Sequence, residues 1–184
     1  MFTDNITAYV NNTLPSFDGN YLEIGVYDGK SIATLANNFS NKMIYAIDPF
    51  IEDGNTTWHS GVVTGNELKS QRDSTYNFIK DAKNIQLFEM TSKEFYSSLT
   101  IENVIDYNIQ IVFIDGAHQY DHVVNDYLLA LKLLNNKNGI IIFDDTHITD
   151  VISGIENFKL HISHMASHYV DLGSNSCSYE IKAI

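Results

Sequence analysis

A chain of 184 residues, 44% apolar and 18% charged, has the composition of one folded domain and can bury ~70% of the surface its unfolded state exposes. Eleven Lys and Arg against 23 Asp and Glu leave a net charge of −12, with Arg72 the single arginine, so no basic stripe is on offer to a nucleic acid or an anionic membrane. Cys177 is the single cysteine, which excludes internal disulfides and zinc clusters of several thiolates.

In chain order, Met1 to Val10 carries Asp4 and no basic residue, unlike a signal peptide. Tyr21 to Gly25 predicts a buried strand ending in a glycine turn. Ser31 to Phe39 predicts a helix, with Ile32, Leu35, Ala36 and Phe39 on one face. Met43 to Ile47 reads as a second strand. Residues 51–65 have no period and hold Gly54, Gly61, Gly65 and the sole tryptophan, Trp58; such a stretch predicts a lid or binding loop. Asn66 to Ala82 predicts a polar helix and Ile85 to Met90 a third strand. Thr91 and Glu94 have capping-box spacing, so a short helix starts there. Ile109 to Ile114 is apolar almost throughout, as in a strand covered on both faces. Val123, Val124, Tyr127, Leu128, Leu131 and Leu134 mark a helix that stops at Asn138-Gly139. Ile140 to Phe143 is a fifth strand and Val151 to Phe158 a helix. His164 to Leu172 and Cys177 to Ile184 read as two closing strands around Gly173-Ser174-Asn175. Strand and helix in alternation predict a single α/β domain with a mostly parallel sheet, and the helix-free closing pair predicts an antiparallel edge. The apolar runs are too short to span a membrane, and a cytoplasmic setting follows as the default expectation.

Four places carry chemistry. Between Gly25 and Gly29 a strand feeds a turn that opens a helix, a place where a ligand approaches backbone closely. Gly25 stands four residues before Gly29, one short of the phosphate loop that Gly29-Lys30-Ser31 imitates, and the dinucleotide Gly-x-Gly-x-x-Gly is absent. Asp48 ends the second strand; a carboxylate there either accepts ribose hydroxyls or caps the turn before Pro49. Asp115-Gly116-Ala117-His118 and Asp144-Asp145 follow two interior strands. Their carboxylates converge on one crevice and repel one another unless a hard cation neutralises them. Asp115, Asp144 and Asp145 are therefore candidate ligands of Mg²⁺ or a similar ion, with His147 as a neighbour or a fourth ligand. His59, His122, His161, His164 and His168 have no matching carboxylate pattern and read as structural or solvated.

The Glu-x-Gly-x-x-x-Gly-x-Ser turn, Tyr-Ala-Ile-Asp-Pro, Phe-Ile-Asp-Gly-Ala-His-Gln-Tyr with Asp126 eight residues past His118, and Ile-Ile-Phe-Asp-Asp together resemble class I S-adenosylmethionine-dependent methyltransferases. Within that class they are similar to the macrocin- and mycinamicin-type sugar O-methyltransferases. The resemblance covers residues 20–146 and implies a Rossmann-like seven-stranded sheet with an antiparallel last strand and helices on both faces. It implies that Glu23, Ser31 and the turn Gly25, Val26, Tyr27 and Gly29 hold the methionine and ribose side of S-adenosylmethionine, beside Asp115. It further implies that Asp48 holds the ribose hydroxyls, that Thr91 and Ser92 border the adenine, and that Asp115, Asp144 and Asp145 bind the metal. His118 corresponds to the general base, with Asp115 the other catalytic candidate. About twenty residues precede the first motif here, so against larger relatives the resemblance leads us to expect few of the helices that roof the acceptor. The expected activity is metal-assisted methylation of a small hydroxylated acceptor such as a sugar. A metal-free O- or N-methyltransferase and a non-catalytic cofactor-binding subunit are the competing readings.

Overall fold

The computed structural model describes residues 4–50, 57–58, 61–62, 65–135, 137–173 and 175–182. Seven strands form the main sheet: β1 (Asn20–Ile24), β2 (Ile44–Ile47), β5 (Ile85–Phe88), β6 (Ile109–Ile114), β7 (Gly139–Phe143), β8 (Ser167–Gly173) and β9 (Ser176–Ile181). Their order is β5-β2-β1-β6-β7-β9-β8. Only β9 runs antiparallel to its neighbours β7 and β8; β1, β2, β5, β6 and β7 pair in parallel. The expected mostly parallel sheet with an antiparallel last strand is therefore present, although the edge is β8, since β9 is inserted between it and β7. Thr57–Trp58 (β3) and Gly61–Val62 (β4) form a separate two-residue ladder. The rest of the expected lid over 51–65 lies outside the described residues, except Gly65, which begins a helix.

The helices are α1 (Asp4–Thr13), α2 (Lys30–Asn38), α3 (Gly65–Ile79), α4 (Ser92–Ser98), α5 (Ile101–Tyr107), α6 (Tyr120–Leu134) and α7 (Thr149–His161). Side chains of a strand alternate between faces, and the core divides accordingly. Leu22, Val112, Ile114, Ile141 and Phe143 pack under α4 to α7. Tyr21, Ile111, Phe113, Ile140 and Ile142 pack under α1 and α2. Two helices went unread in the sequence. Ile6 and Val10 of α1 are fully buried although the helix has only a narrow apolar seam. Helix α5 begins with a Thr100/Asn103 capping box, the signal that was available for it. His164, read as strand, lies in the turn between α7 and β8.

The sheet positions the site by its winding. From β1 the chain builds outward through β2 and β5 on one side, and β6 and β7 lie on the other. Crossovers on opposite faces leave a crevice at the carboxyl ends of β1 and β6.

Candidate active site

At the end of β1 the backbone turns through Gly25 (φ 89°), Tyr27 (φ 54°) and Gly29 (φ 81°). A side chain at Gly25 has no space: its Cβ would lie 2.1 Å from the Asp115 carbonyl oxygen and 2.7 Å from Gly116 Cα. The left-handed φ and this close approach both demand glycine. Gly29 presses on α3, where a Cβ would come within 2.9 Å of Thr75. Thr75 is fully buried, and its hydroxyl donates to the Tyr27 carbonyl at 3.3 Å.

Asp48, at the end of β2, latches this turn. Its Oδ2 accepts from the Val26 and Tyr27 N–H groups at 2.8 and 3.4 Å, and its Oδ1 from the Phe50 N–H at 2.9 Å. Burial raises its pKa, and the three backbone donors oppose that rise. A carboxylate has about four lone-pair sites, so capacity remains for one further donor. Glu23 sits beneath the turn, with its carboxyl joined to the Ser31 and Tyr21 hydroxyls. It is 1% exposed, and desolvation pushes its pKa to about 8 against the pull of those two hydroxyls. Glu23 and Ser31 therefore brace the start of α2 as a pair. Across the crevice, Thr91 spends its hydroxyl and N–H on the capping box with Glu94. Ser92 begins α4, and Asp126 on α6, which packs against α4, is buried.

The second wall comes from β6 and β7. The Asp115 N–H bonds the Ile24 carbonyl at 2.8 Å and the Asp144 N–H the Ile114 carbonyl at 3.0 Å, so adjacent strand ends hold both acids in place. His118 Nε2 lies 2.9 Å from Asp145 Oδ2, and His147 Nδ1 lies 3.7 Å from Asp145 Oδ1. Asp115, His118 and Asp145 each bring one ligand atom within 4.8 Å of the others. This group differs from the three carboxylates expected. Asp144 Oδ1 instead accepts from the Ser176 hydroxyl at 2.5 Å and from the Asp145 N–H at 2.9 Å, because the inserted antiparallel strand β9 brings Ser176 beside it. The left-handed backbone at Asp145 (φ 52°) turns the second acid away from the first. Burial, followed by the neighbouring charges of Asp144, Glu23 and Asp145, holds the Asp115 carboxyl well above its ordinary range.

The remaining histidines stand apart. His161 Nδ1 bonds the Tyr127 hydroxyl at 3.1 Å, His168 faces Glu180 at 3.9 Å, His122 and His164 are exposed, and His59 lies outside the described residues. Sequence reading missed Thr75, which packs the glycine turn from α3, and Ser176, which holds Asp144 from β9. Neither stands in a local motif, so only the packing of α3 and the insertion of β9 identify them.

The donor set favours a cationic ligand with hydroxyls. Asp48 and Asp145 offer carboxylate acceptors at the crevice, and burial holds Glu23 and Asp115 toward their neutral forms, whereas Lys30 and Arg72 are engaged on the surface by Asp28 and Glu89. A sulfonium nucleoside fits this arrangement, and the phosphates of a dinucleotide do not. Two carboxylates and one imidazole also suit a divalent cation, less purely oxygen-ligated than an ordinary Mg²⁺ site.

Residues 22–146 match the family model described as Methyltransferase domain. An uncharacterized protein of Acanthamoeba polyphaga mimivirus is 32% identical over 134 residues, which make up 73% of this chain and 54% of that one; the chain thus spans about half the length of this curated relative. Among solved structures, the O-methyltransferase NovP superposes with a TM-score of 0.65 at 12% identity, over 97% of this chain and 78% of that one. A precorrin-6y C5,15-methyltransferase from Geobacter metallireducens superposes with a TM-score of 0.62 at 16% identity, over 99% and 91% of the two chains. A TDP-rhamnose 3′-O-methyltransferase of calicheamicin biosynthesis gives 0.58 at 16% identity, over 97% and 78%. At these identities the solved structures share the fold.

Proposed function

The chain belongs to the methyltransferase-domain family, and from that premise we propose that it moves the methyl group of S-adenosylmethionine to a hydroxyl of a small acceptor, a sugar among the candidates. The observation that carries the reading is the meeting of Asp115, His118 and Asp145 at the strand ends beside the glycine turn. Bound S-adenosylmethionine supplies an activated methyl on a cationic sulfur. The chain's part is to hold that cofactor, align the acceptor oxygen with it and take the acceptor's proton. Gly25 to Gly29 and Asp48 would hold the methionine and ribose portions, and Thr91 and Ser92 would border the adenine. Alignment of the reacting groups contributes ~7–11 kcal/mol in favourable cases. His118 is the base: its ring is oriented through the 2.9 Å contact of Nε2 with Asp145, and an imidazole nitrogen is a common general base for a hydroxyl proton. Asp115 and Asp145 would hold a divalent cation, with Asp144 next to them and His118 alongside as the base; such an ion lowers the pKa of a hydroxyl that reaches it.

The His118–Asp145 contact also favours a second reading, a metal-free dyad in which Asp145 orients the imidazole and His118 alone takes the proton. Turnover assays with and without a chelator separate the two. On the metal-assisted reading, chelation abolishes turnover and Mg²⁺ or Mn²⁺ restores it; full activity in excess chelator selects the dyad. On both readings His118→Ala lowers kcat by roughly 10²–10⁴-fold and leaves the affinity for S-adenosylhomocysteine unchanged. A His118→Ala variant with parental kcat would overturn both.

A further inference from the structure

Between α7 and the β8–β9 pair lies a groove of about 440 Å³, within the size range of small-molecule sites. Ile152 and Ile155 of α7 line it, as do Met165, Tyr169 of β8, and Cys177 and Tyr179 of β9. None of the residues assigned above to methyl transfer lines it. Tyr179 is 4% exposed, and its buried hydroxyl has no hydrogen-bond partner among the described residues. Buried polar groups are nearly always paired, so such an orphan needs an explanation. A phenylalanine would pack equally well against Phe158 and Tyr169 with no polar group to satisfy. Lys159 lies near enough for its charge to act on this hydroxyl, but its ammonium is engaged by Glu156 at 2.7 Å. Burial pushes the Tyr179 hydroxyl up to about 12, so it keeps its proton and is available as a donor.

We propose that this groove binds a small, uncharged aromatic molecule that carries one hydrogen-bond acceptor, a carbonyl oxygen above all, and that the Tyr179 hydroxyl donates to it. The aromatic preference comes from the lining. The rings of Tyr169 and Tyr179 stand 5.3 Å apart at 58°, and with the Met165 sulfur they present faces and edges suited to a third ring. The ligand is uncharged because the groove has no free counter-ion. Lys159 and Glu156, both of which line it, are paired with each other, and a buried charge left without a partner is costly. One acceptor suffices because Tyr179 offers one donor. Ser163 and Ser167 also line the groove, but both are exposed and have water to bond. The site shares no residue with the methyl-transfer site, so it stands or falls apart from that reading.

Met165 is one of four methionines, and Met43 and Met90 do not line the groove. NMR of isotope-labelled methionine methyls therefore reads the site. The probes are acetophenone, an aromatic ketone, and toluene, which has no acceptor. Both should shift the Met165 methyl to saturation and leave Met43 and Met90 in place. Tyr179→Phe should weaken acetophenone by about three- to tenfold, the worth of one neutral hydrogen bond, and leave toluene unchanged. Ile152→Glu, at an exposed position on α7, should weaken both probes by placing a charge in the groove. The unliganded Tyr179→Phe protein should melt at or above the parental Tm, since no internal bond is lost. Absence of a saturable Met165 shift with either probe overturns the site, and so do equal shifts at Met43, Met90 and Met165, which mark unspecific partition. If Tyr179→Phe leaves acetophenone unchanged, or weakens both probes equally, the hydroxyl takes no part in recognition and the proposal fails. If Tyr179→Phe melts well below the parent, the hydroxyl is paired within the protein and the premise is lost.

Discussion

Buried carboxyls make stability run against the usual direction for an acidic protein. Burial favours the proton: Glu23 and Asp126 are raised to about 8 and about 7, and Asp115, Asp144 and Asp48 shift the same way. Their unfolded-state values lie near 4. Between about pH 4.5 and 8 the folded state therefore binds more protons than the unfolded one, so stability falls as the pH rises through that window. The lowered carboxyls, Glu89, Glu94 and Glu102, lie at the surface, and their contribution is lost only below about pH 4.5. The unliganded protein should melt higher at pH 5.5 than at pH 8.5, by an amount equivalent to a few kcal/mol at order of magnitude. Glu23→Gln should flatten that slope. A melting temperature that climbs from pH 5.5 to 8.5 would show the buried carboxyls to be ionised in the fold at no cost.

At the level of elements, the turn after β1 is held from three directions: by Asp48 at the end of β2, by Thr75 on α3, and by the Asp115–Gly116 backbone packed on Gly25. Asp48 thus has structural work before any ligand arrives. Charge-assisted hydrogen bonds to backbone N–H groups are worth about 1.5–3 kcal/mol each in favourable cases. Asp48→Ala should lower the melting temperature of the unliganded protein and weaken S-adenosylhomocysteine as well. An unliganded Tm equal to the parent's would mean that the latch contributes nothing and that Asp48 serves the ligand alone. The sequence offered both readings of Asp48, ribose acceptor and turn cap. The structure displays the cap, because the parallel β1–β2 register, Ile24 opposite Ile47, sets the next residue of β2 beside the turn.

Across the whole molecule, charge and crevice act together. The net charge of −12, with Asp48 and Asp145 at the site, creates a field that attracts cations. S-adenosylmethionine carries one positive charge more than S-adenosylhomocysteine, so salt should weaken its binding further. Raising NaCl from ~50 to ~500 mM shortens the screening length from about 14 to about 4 Å. Titrations over that range should show a steeper loss for the methyl donor than for its product. Equal slopes would remove the acids from any part in holding the sulfonium. No helix among the described residues is long and apolar enough to cross a membrane.

Local chemistry was enough to read the alternation of strands and helices, the glycine turn, Asp48 and the two Asp-bearing strand ends, because apolar periodicity and glycine backbone freedom act over a few neighbouring residues. The same holds for the family resemblance, which rests on short motifs in order. What the sequence could not supply depends on residues distant along the chain. The buried seam of α1 becomes an element only once α2 and β8 are there to cover it. Insertion of β9 between β7 and β8 brings Ser176 to Asp144, and the loop after β6 brings His118 to Asp115 and Asp145. Strand order and helix packing settle which of several chemically similar side chains share a site, since they fix distances that local sequence leaves free.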